Sequence, residues 1–185
     1  MKNFITILFL VLSLTVASQP TAPILRIETG MHTAPGRRIS TDAAGKYLLT
    51  CSDDKTARLW DAVSGKLLNT FRIPIGNVDE GKLYACALSP DSKFAALGGS
   101  TGYEWDSLNS IYIVNAHTGA IVNRIKNIPQ VITDLEFSPD GRWLAAGLLG
   151  KNGVRIFGTG GWGEYKKLEG YSGGVYNVAF KPGVV

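Results

Sequence analysis

The chain of 185 residues is 45% hydrophobic and 18% charged, which is the composition of one globular domain rather than of a disordered segment. Its formal net charge of +4 comes from scattered basic residues, with Arg37-Arg38 and Lys166-Lys167 as the only basic pairs. This pattern lacks the basic stripe of a nucleic-acid interface, so we expect no nucleic-acid partner. The 22 glycines and 8 prolines are many for a helical protein and ordinary for an all-β one.

The first residues predict an export signal. Lys2 supplies a positive charge, and residues 4–16 form an uncharged apolar run too short to span a bilayer as a helix. Small residues at 16–18 resemble a signal-peptidase site, which predicts a signal peptide over 1–18 with cleavage after Ser18, or alternatively after Ala17. We therefore expect an exported chain over 19–185, periplasmic or extracellular and not inserted in a membrane; an uncleaved anchor is the other interpretation.

Two cysteines, Cys51 and Cys86, lie in the apolar runs LLTCS and YACAL. Export would place them where a disulfide can form, but cysteine in such runs commonly acts as a small buried hydrophobe. Neither has a nearby histidine or the spacing of a metal site, so we expect no metal, no cofactor and no reactive thiol. The sequence alone leaves both states, free and paired, open.

One sequence pattern recurs along the chain. The copies are ISTDAAGKYLLT at 39–50, ALSPDSKFAALG at 87–98 and EFSPDGRWLAAG at 136–147, and a fourth begins in AFKPGVV at 179–185. Equivalent turn positions fall at Gly45, Ser92, Gly141 and Gly183, with separations of 47, 49 and 42 residues. This is the period of a propeller blade of four strands.

Each repeat divides into four short apolar runs separated by turn residues, which predicts strands and no amphipathic helix. The predicted fold class is an all-β propeller with three complete four-stranded blades. The blades are expected at 37–72, 83–126 and 131–169, with single strands at 24–28 and 174–181. Because four blades is the usual minimum for a closed ring, we expect an incomplete ring, a fragment of a longer propeller that self-associates through open blade edges.

At these residues the chain resembles a bacterial WD-repeat β-propeller. That family has a hydrogen-bonded tetrad of His, Ser or Thr, Asp and Trp within a blade, and the separations of 18, 4 and 6 residues in the first repeat are similar. The resemblance implies a tetrad of His32, Thr50, Asp54 and Trp60, in which all four residues have structural roles. The later repeats depart from the pattern, with Val114-Asn115 and Phe157-Gly158 where the first has Trp60-Asp61.

A second Trp-Asp, at 105–106, lies in an insertion. Gly45 to Gly65 is 20 residues, whereas Ser92 to Gly119 is 27, so the second blade carries seven extra residues between its second and third strands. The resemblance implies that this connection shares one face of the disc with the connections between blades. The candidate binding residues on that face are Tyr103, Glu104, Trp105, Asp106, Asp79, Glu80 and Tyr171.

Aromatic rings with flanking carboxylates are suited to a protein partner or to a cationic or hydroxyl-rich group. The alternative is that Tyr103 and Trp105 fold back on the blade as a local staple. A Ca²⁺ site at Asp106 and Asn109 has too few ligands.

Three functions follow from this pattern. The first is a non-catalytic protein-interaction scaffold with a partner of unknown identity. The second, implied by resemblance to exported propellers fused to caspase-like peptidases, is an N-terminal sensor whose catalytic domain is absent from this chain. The third, catalysis by the propeller itself, is disfavoured because His32 and His117 are the only histidines and no nucleophile with an adjacent base can be assembled. We expect no catalytic residues.

Overall fold

The structure, a computed structural model, describes residues 30–102 and 108–181, which form twelve strands. The first four are β1 Gly36–Thr41, β2 Tyr47–Ser52, β3 Thr56–Asp61 and β4 Leu67–Arg72. The next four are β5 Lys82–Leu88, β6 Phe94–Ser100, β7 Asn109–Asn115 and β8 Ile121–Ile128. The last four are β9 Ile132–Phe137, β10 Trp143–Leu148, β11 Val154–Gly158 and β12 Glu164–Leu168.

The strands form three separate antiparallel sheets, and in each sheet neighbouring strands follow one another in the chain. We call the sheets blade 1 (β1–β4), blade 2 (β5–β8) and blade 3 (β9–β12). The predicted all-β architecture of three four-stranded blades is confirmed, and the ends of the blades differ from the prediction by one or two residues. Within the described ranges there is no helix, and hence no helix that could cross a membrane.

The repeated turns explain why the blades share one shape. Gly45, Ser92 and Gly141 have φ of 63°, 59° and 73°, so the three described positions that the repeat makes equivalent adopt the same left-handed conformation. Glycine adopts a left-handed backbone without steric cost. Of the three equivalent turn residues, Ser92 is the one that adopts this conformation with a side chain.

Side chains fix the same turn in blades 2 and 3. The Ser89 hydroxyl donates to Asp91 Oδ1 over 2.7 Å, and the Ser138 hydroxyl donates to Asp140 Oδ1 over 2.5 Å. Hydrogen bonds from Ser138 and Arg142 lower the pKa of Asp140 to about 2. The Ser-Pro-Asp sequence is therefore a turn that a carboxylate closes locally.

The blades pack through their apolar faces, and their innermost strands β1, β5 and β9 lie side by side. Between blades 1 and 2 the core contains Leu49, Leu59, Phe71, Leu97 and Tyr112, and between blades 2 and 3 it contains Ile111, Ile113, Leu135, Leu144 and Phe157. Blade 2 therefore buries both of its faces. A Cβ built on Gly98 would lie 2.9 Å from Ile132 Cγ2, so glycine at this position permits the close approach of blades 2 and 3.

Trp162 is a structural residue that the repeat pattern does not predict. It lies in the β11–β12 turn with a left-handed φ of 59°. Its ring meets Phe94 of blade 2 and Phe137 of blade 3 edge-on, with ring centroids 5.8 and 6.4 Å apart. This aromatic cluster holds blades 2 and 3 together.

The strand predicted at 174–181 is not present, so this prediction was wrong. The segment instead contacts blade 3 at separate points: the Val175 amide donates to Leu148 O over 3.0 Å and the Val178 amide to Asp134 Oδ2 over 2.8 Å. Arg38 of blade 1 donates to Tyr176 O. A strand needs a continuous ladder with a neighbour, and these spaced bonds do not provide one. The predicted signal peptide over 1–18 and the strand at 24–28 lie outside the described residues.

No sheet joins blade 3 back to blade 1 within residues 30–102 and 108–181. The link across the axis is instead ionic, from Arg38 Nε on β1 to Asp134 Oδ1 on β9 over 3.1 Å. Cys51 and Cys86 are both buried and unpaired. Burial and a hydrogen bond to Cys51 raise the pKa of the Cys86 thiol well above its ordinary value, so this thiol is held in its unreactive form.

Replacing Trp162 by alanine should destabilise the protein by about 2 kcal/mol, because a partly buried aromatic ring between two blades is lost. Chemical denaturation measures the change. Tyr165→Ala is the control, since Tyr165 is 67% exposed and should cost less than about 1 kcal/mol. Equal losses in the two variants would contradict the role of Trp162 between the blades.

Candidate functional site

The tetrad residues lie together in blade 1, around the hydroxyl of Thr50. Thr50 is on β2, and its Oγ1 accepts the indole N–H of Trp60 on β3 over 2.9 Å. His32, which precedes β1, places Nε2 2.8 Å from the same oxygen. Its Nδ1 lies 2.9 Å from Oδ2 of Asp54, in the β2–β3 turn. The four side chains thus form one chain of hydrogen bonds across three consecutive parts of the blade.

Asp54 has further donors that sequence reasoning missed. Its Oδ1 accepts the Thr56 hydroxyl over 2.6 Å, and its Oδ2 accepts the Thr33 amide over 3.0 Å. Burial disfavours the charged carboxylate, but the hydrogen bonds from Thr56, His32 and Thr33 outweigh it, so the pKa of Asp54 is lowered. These groups satisfy one another, which gives the tetrad a structural role.

A cavity of about 510 Å³ opens where the connections between blades emerge, the side that we call the upper face. Three connections reach it: β4–β5, β6–β7 and β8–β9. Its lining residues are Asn77, Val78, Asp79, Glu80, Ser100, Gly102, Asn109, Pro129, Gln130 and Val131. We call it the upper-face cavity. Asp79 and Glu80, two of the predicted binding residues, line it.

Unusual backbone conformations flank the upper-face cavity. Val78 has a φ of 46° and Asn127 a φ of 62°, both in the left-handed region. This conformation is strained for a β-branched residue such as valine, yet the Val78 side chain is 85% exposed. Residues held in such conformations cluster at ligand-binding sites, where the strain is compensated by the surrounding structure.

The acidic residues of the cavity differ in their pairing. Asp79 accepts Lys82 Nζ over 2.6 Å, and this hydrogen bond lowers the pKa of Asp79 and raises that of Lys82. The carboxylate of Glu80 lies against Gly76, where a Cβ would overlap with Oε2. Lys55 Nζ donates to Gly76 O over 2.9 Å, which ties the β4–β5 connection to blade 1.

The base of the insertion is closed by polar contacts. Asn109 Oδ1 accepts the amides of Thr101 and Gly102 over 2.8 and 2.9 Å. The Thr101 hydroxyl donates to Ser110 O over 2.6 Å and accepts the Ser110 amide over 3.0 Å. Asn109 thus holds together the two ends of the β6–β7 insertion. Among the described residues there is no cluster of side chains suited to a metal ion. The predicted binding residues Tyr103, Glu104, Trp105 and Asp106 lie outside the described residues.

Tyr171 lies apart from the upper-face cavity. Its ring covers Gly153 in blade 3, where a Cβ would lie 2.9 Å from Tyr171 Cδ2. The side chain is 42% exposed. The structure therefore places Asp79 and Glu80 together in the β4–β5 connection and Tyr171 apart from them, against blade 3.

Comparisons with known proteins agree with this architecture. The model of the WD domain, G-beta repeat family matches residues 37–61 and 108–157. The chain is 27% identical over 144 residues to the WD repeat-containing protein SL1-17 of Schistosoma mansoni, covering 78% of this chain and 43% of that protein. It is 31% identical over 88 residues to a Ribosome biogenesis protein BOP1 homolog of Culex quinquefasciatus, covering 48% of this chain and 9% of that protein.

Solved structures show the same fold at low identity. The WD40 repeats of RRP9 align with a TM-score of 0.65 at 16% identity, over 78% of this chain and 41% of that one. Hydrazine synthase of Kuenenia stuttgartiensis aligns with a TM-score of 0.62 at 18% identity, over 82% of this chain and 41% of that one. The chain has the fold of a WD-repeat β-propeller, and it spans less than half the length of these relatives.

Replacing Asp54 by asparagine should destabilise the protein by about 1–2 kcal/mol at pH 7, because the amide lacks an acceptor for the donors around the carboxylate. The lowered pKa of Asp54 contributes stability above about pH 4, and this contribution is lost as the pH falls through the folded-state value. The difference between wild type and variant should therefore shrink at pH 3. Urea unfolding at the two pH values measures it.

Asp53→Asn is the matched control for this prediction. Asp53 pairs with Arg37, whose side chain is 47% exposed, and an exposed pair contributes less than about 1 kcal/mol. Equal losses for the two variants at pH 7, or an undiminished Asp54→Asn loss at pH 3, would contradict the structural role assigned to the tetrad.

Proposed function

We propose that this chain is a non-catalytic scaffold that binds a protein partner at the upper-face cavity and the insertion beside it. WD repeats generally mediate protein interactions, which supports the class of function. The observation that carries the proposal is the convergence on one cavity of three connections: the one within blade 2 and the two that join blade 2 to its neighbours. Rigid strands hold these connections, as is common for binding loops.

The residues that we propose as contacts combine apolar and acidic chemistry. Val78 presents an exposed apolar side chain at the rim, next to Asp79 and Glu80. From the sequence, Tyr103 and Trp105 add aromatic rings. Such rings give a large contact area at a low cost in entropy, while carboxylates orient a cationic or hydroxyl-rich group of the partner. Glu104 and Asp106 belong to the same proposal as contacts around the cavity, whereas Tyr171 lies too far from the cavity to be one of its contacts.

Two features of the described residues argue against catalysis. His32 is held by Thr50 and Asp54 in the tetrad. His117 is exposed in the β7–β8 turn, where its ring meets Tyr47 edge-on at 5.6 Å, and both cysteines are buried. Neither histidine adjoins a nucleophile in an open site, as a hydrolytic or acyl-transfer mechanism requires.

Export belongs to the same proposal. The apolar run at 4–16 and the small residues at 16–18 support removal of residues 1–18 and a periplasmic or extracellular location. In the second candidate function, the same surface belongs to the sensor of a caspase-like peptidase of the exported bacterial type. Its support is the sequence resemblance of the insertion TGYEWDSLNSIY.

Sequencing the N-terminus of the secreted chain tests export, since Gln19 should be its first residue.

A photo-cross-linking amino acid at position 78 should capture the partner, whereas the same amino acid at position 63 should not. Val78 and Val63 are 85% and 92% exposed, but Val63 lies in the β3–β4 turn on the opposite face. The chain is expressed in its source cells, irradiated, and its adducts are analysed by mass spectrometry. The same adducts from both positions would contradict the upper-face assignment.

Trp105→Ala separates binding from a local staple. If Trp105 contacts the partner, the variant should lose the cross-link at position 78 and keep its melting temperature within about 2 °C, as expected for a change that costs less than about 0.5 kcal/mol. A large fall in melting temperature with the cross-link intact would instead show that Trp105 packs on the blade.

A further inference from the structure

A second cavity lies on the lower face, at the ends of the three innermost strands β1, β5 and β9. It encloses about 250 Å³. Its lining residues are Ser40, Thr41, Asp42, Ala43, Leu88, Pro90, Glu136, Phe137 and Pro139. We call it the lower axial pocket. All three blades contribute to it, and none of its residues lines the upper-face cavity.

Glu136 is the distinctive group of the lower axial pocket. Its side chain is half-buried at the pocket wall, and within residues 30–102 and 108–181 its carboxylate has no hydrogen-bond or ion-pair partner. Burial raises the pKa of Glu136, and the negative charge of Asp134 on the same strand adds to the effect. A half-buried carboxylate beside another carboxylate is stabilised by a cation that reaches it.

The neighbouring charged groups are already paired and do not neutralise Glu136. Asp134 accepts Arg38 Nε over 3.1 Å and the Val178 amide over 2.8 Å. Asp42 accepts the Tyr47 amide through Oδ1 and the Ser92 hydroxyl through Oδ2, over 2.9 and 3.1 Å. Glu136 is therefore the one carboxylate of the lower axial pocket without a donor in the described structure.

The other walls of the pocket suit an alkyl chain that carries the cation. Leu88, Pro90, Phe137 and Pro139 supply apolar surface from blades 2 and 3. The Ser40 hydroxyl accepts the Leu88 amide over 3.0 Å, which fixes the position of this oxygen in the pocket lining. An apolar stem with a charged end is the form of a lysine or arginine side chain, which buries its methylenes and leaves its head group to a polar partner.

We propose that the lower axial pocket binds a guanidinium or ammonium group carried on an alkyl chain, with Glu136 as its counter-ion. The arginine or lysine side chain of a protein partner presents this chemistry, and so does a free alkylamine. The site is on the opposite face from the proposed upper-face partner, so its occupancy does not depend on the function proposed above.

The direct test is calorimetric titration of the chain with N-acetyl-arginine-N-methylamide and with its neutral isostere, the citrulline derivative. The arginine compound should bind, and the citrulline compound should bind at least tenfold more weakly, because it lacks the charge. Agmatine, a free alkylamine, and N-acetyl-lysine-N-methylamide distinguish the sources. If agmatine binds more tightly than the amino-acid derivatives, the natural ligand is a small free amine. If the derivatives bind more tightly, the natural ligand is an arginine or lysine side chain of a protein partner.

Glu136→Gln should weaken binding of the arginine compound about tenfold or more, since the ion pair between carboxylate and guanidinium is replaced by a hydrogen bond to an uncharged amide oxygen. Glu169→Gln is the matched control, because Glu169 is an exposed glutamate outside the pocket, and it should bind as wild type does. The melting temperature of each variant reports folding independently. Unchanged affinity in Glu136→Gln, equal binding of the citrulline compound, or no binding to wild type would each overturn the proposal.

Discussion

The structure depends on one constraint: an isolated four-stranded blade cannot bury both of its apolar faces. Blade 2 satisfies the constraint because Leu97 and Tyr112 face blade 1 while Ile111 and Ile113 face blade 3. Small residues in β6 bring the neighbouring blades close, as the contact of Gly98 with Ile132 shows. Burial of apolar surface between sheets is the dominant favourable contribution, and it is available only when neighbouring blades are present.

Other interactions specify how the blades are oriented. The tetrad orders the entry to blade 1, since His32 connects the chain before β1 to Thr50 on β2. The ion pair between Arg38 and Asp134 spans the axis from blade 1 to blade 3. Because buried polar groups are costly unless they are paired, these contacts favour one arrangement of the blades over others. The surfaces that we propose for binding lie on the two faces, with connections between blades on the upper face and the ends of the innermost strands on the lower one.

The parts that were predictable from sequence are those that depend on local patterns. The turns at Gly45, Ser92 and Gly141 require left-handed backbone, and their spacing located the twelve strands. The spacing of the tetrad residues resembles that of the WD-repeat family and likewise predicts that the four side chains meet within blade 1. By contrast, the contact of Trp162 with two blades depends on the packing angle between sheets, which a single-sequence pattern does not contain.

The difference between local pattern and tertiary packing also explains why the strand predicted at 174–181 was wrong. An alternating apolar pattern near 174–181 indicates a strand, but strand formation also requires a neighbouring backbone, and the segment has only isolated bonds to blade 3. The upper-face cavity was predictable only in part. The sequence located the loops that reach it, but the left-handed backbone of Val78 and the distance of Tyr171 from the cavity are visible only in the structure. The lower axial pocket has no sequence signal, because its walls come from three repeats.

Native-state hydrogen exchange tests the central claim that packing between blades carries the stability. Amides of β6, whose interior residues are buried between two blades, should exchange slowest, and those of the exposed outer strand β12 should exchange fastest. The measurement needs no engineered label, since each backbone amide reports its own rate of exchange. Equal protection of β6 and β12 would show that each blade is stable by itself and would contradict the account.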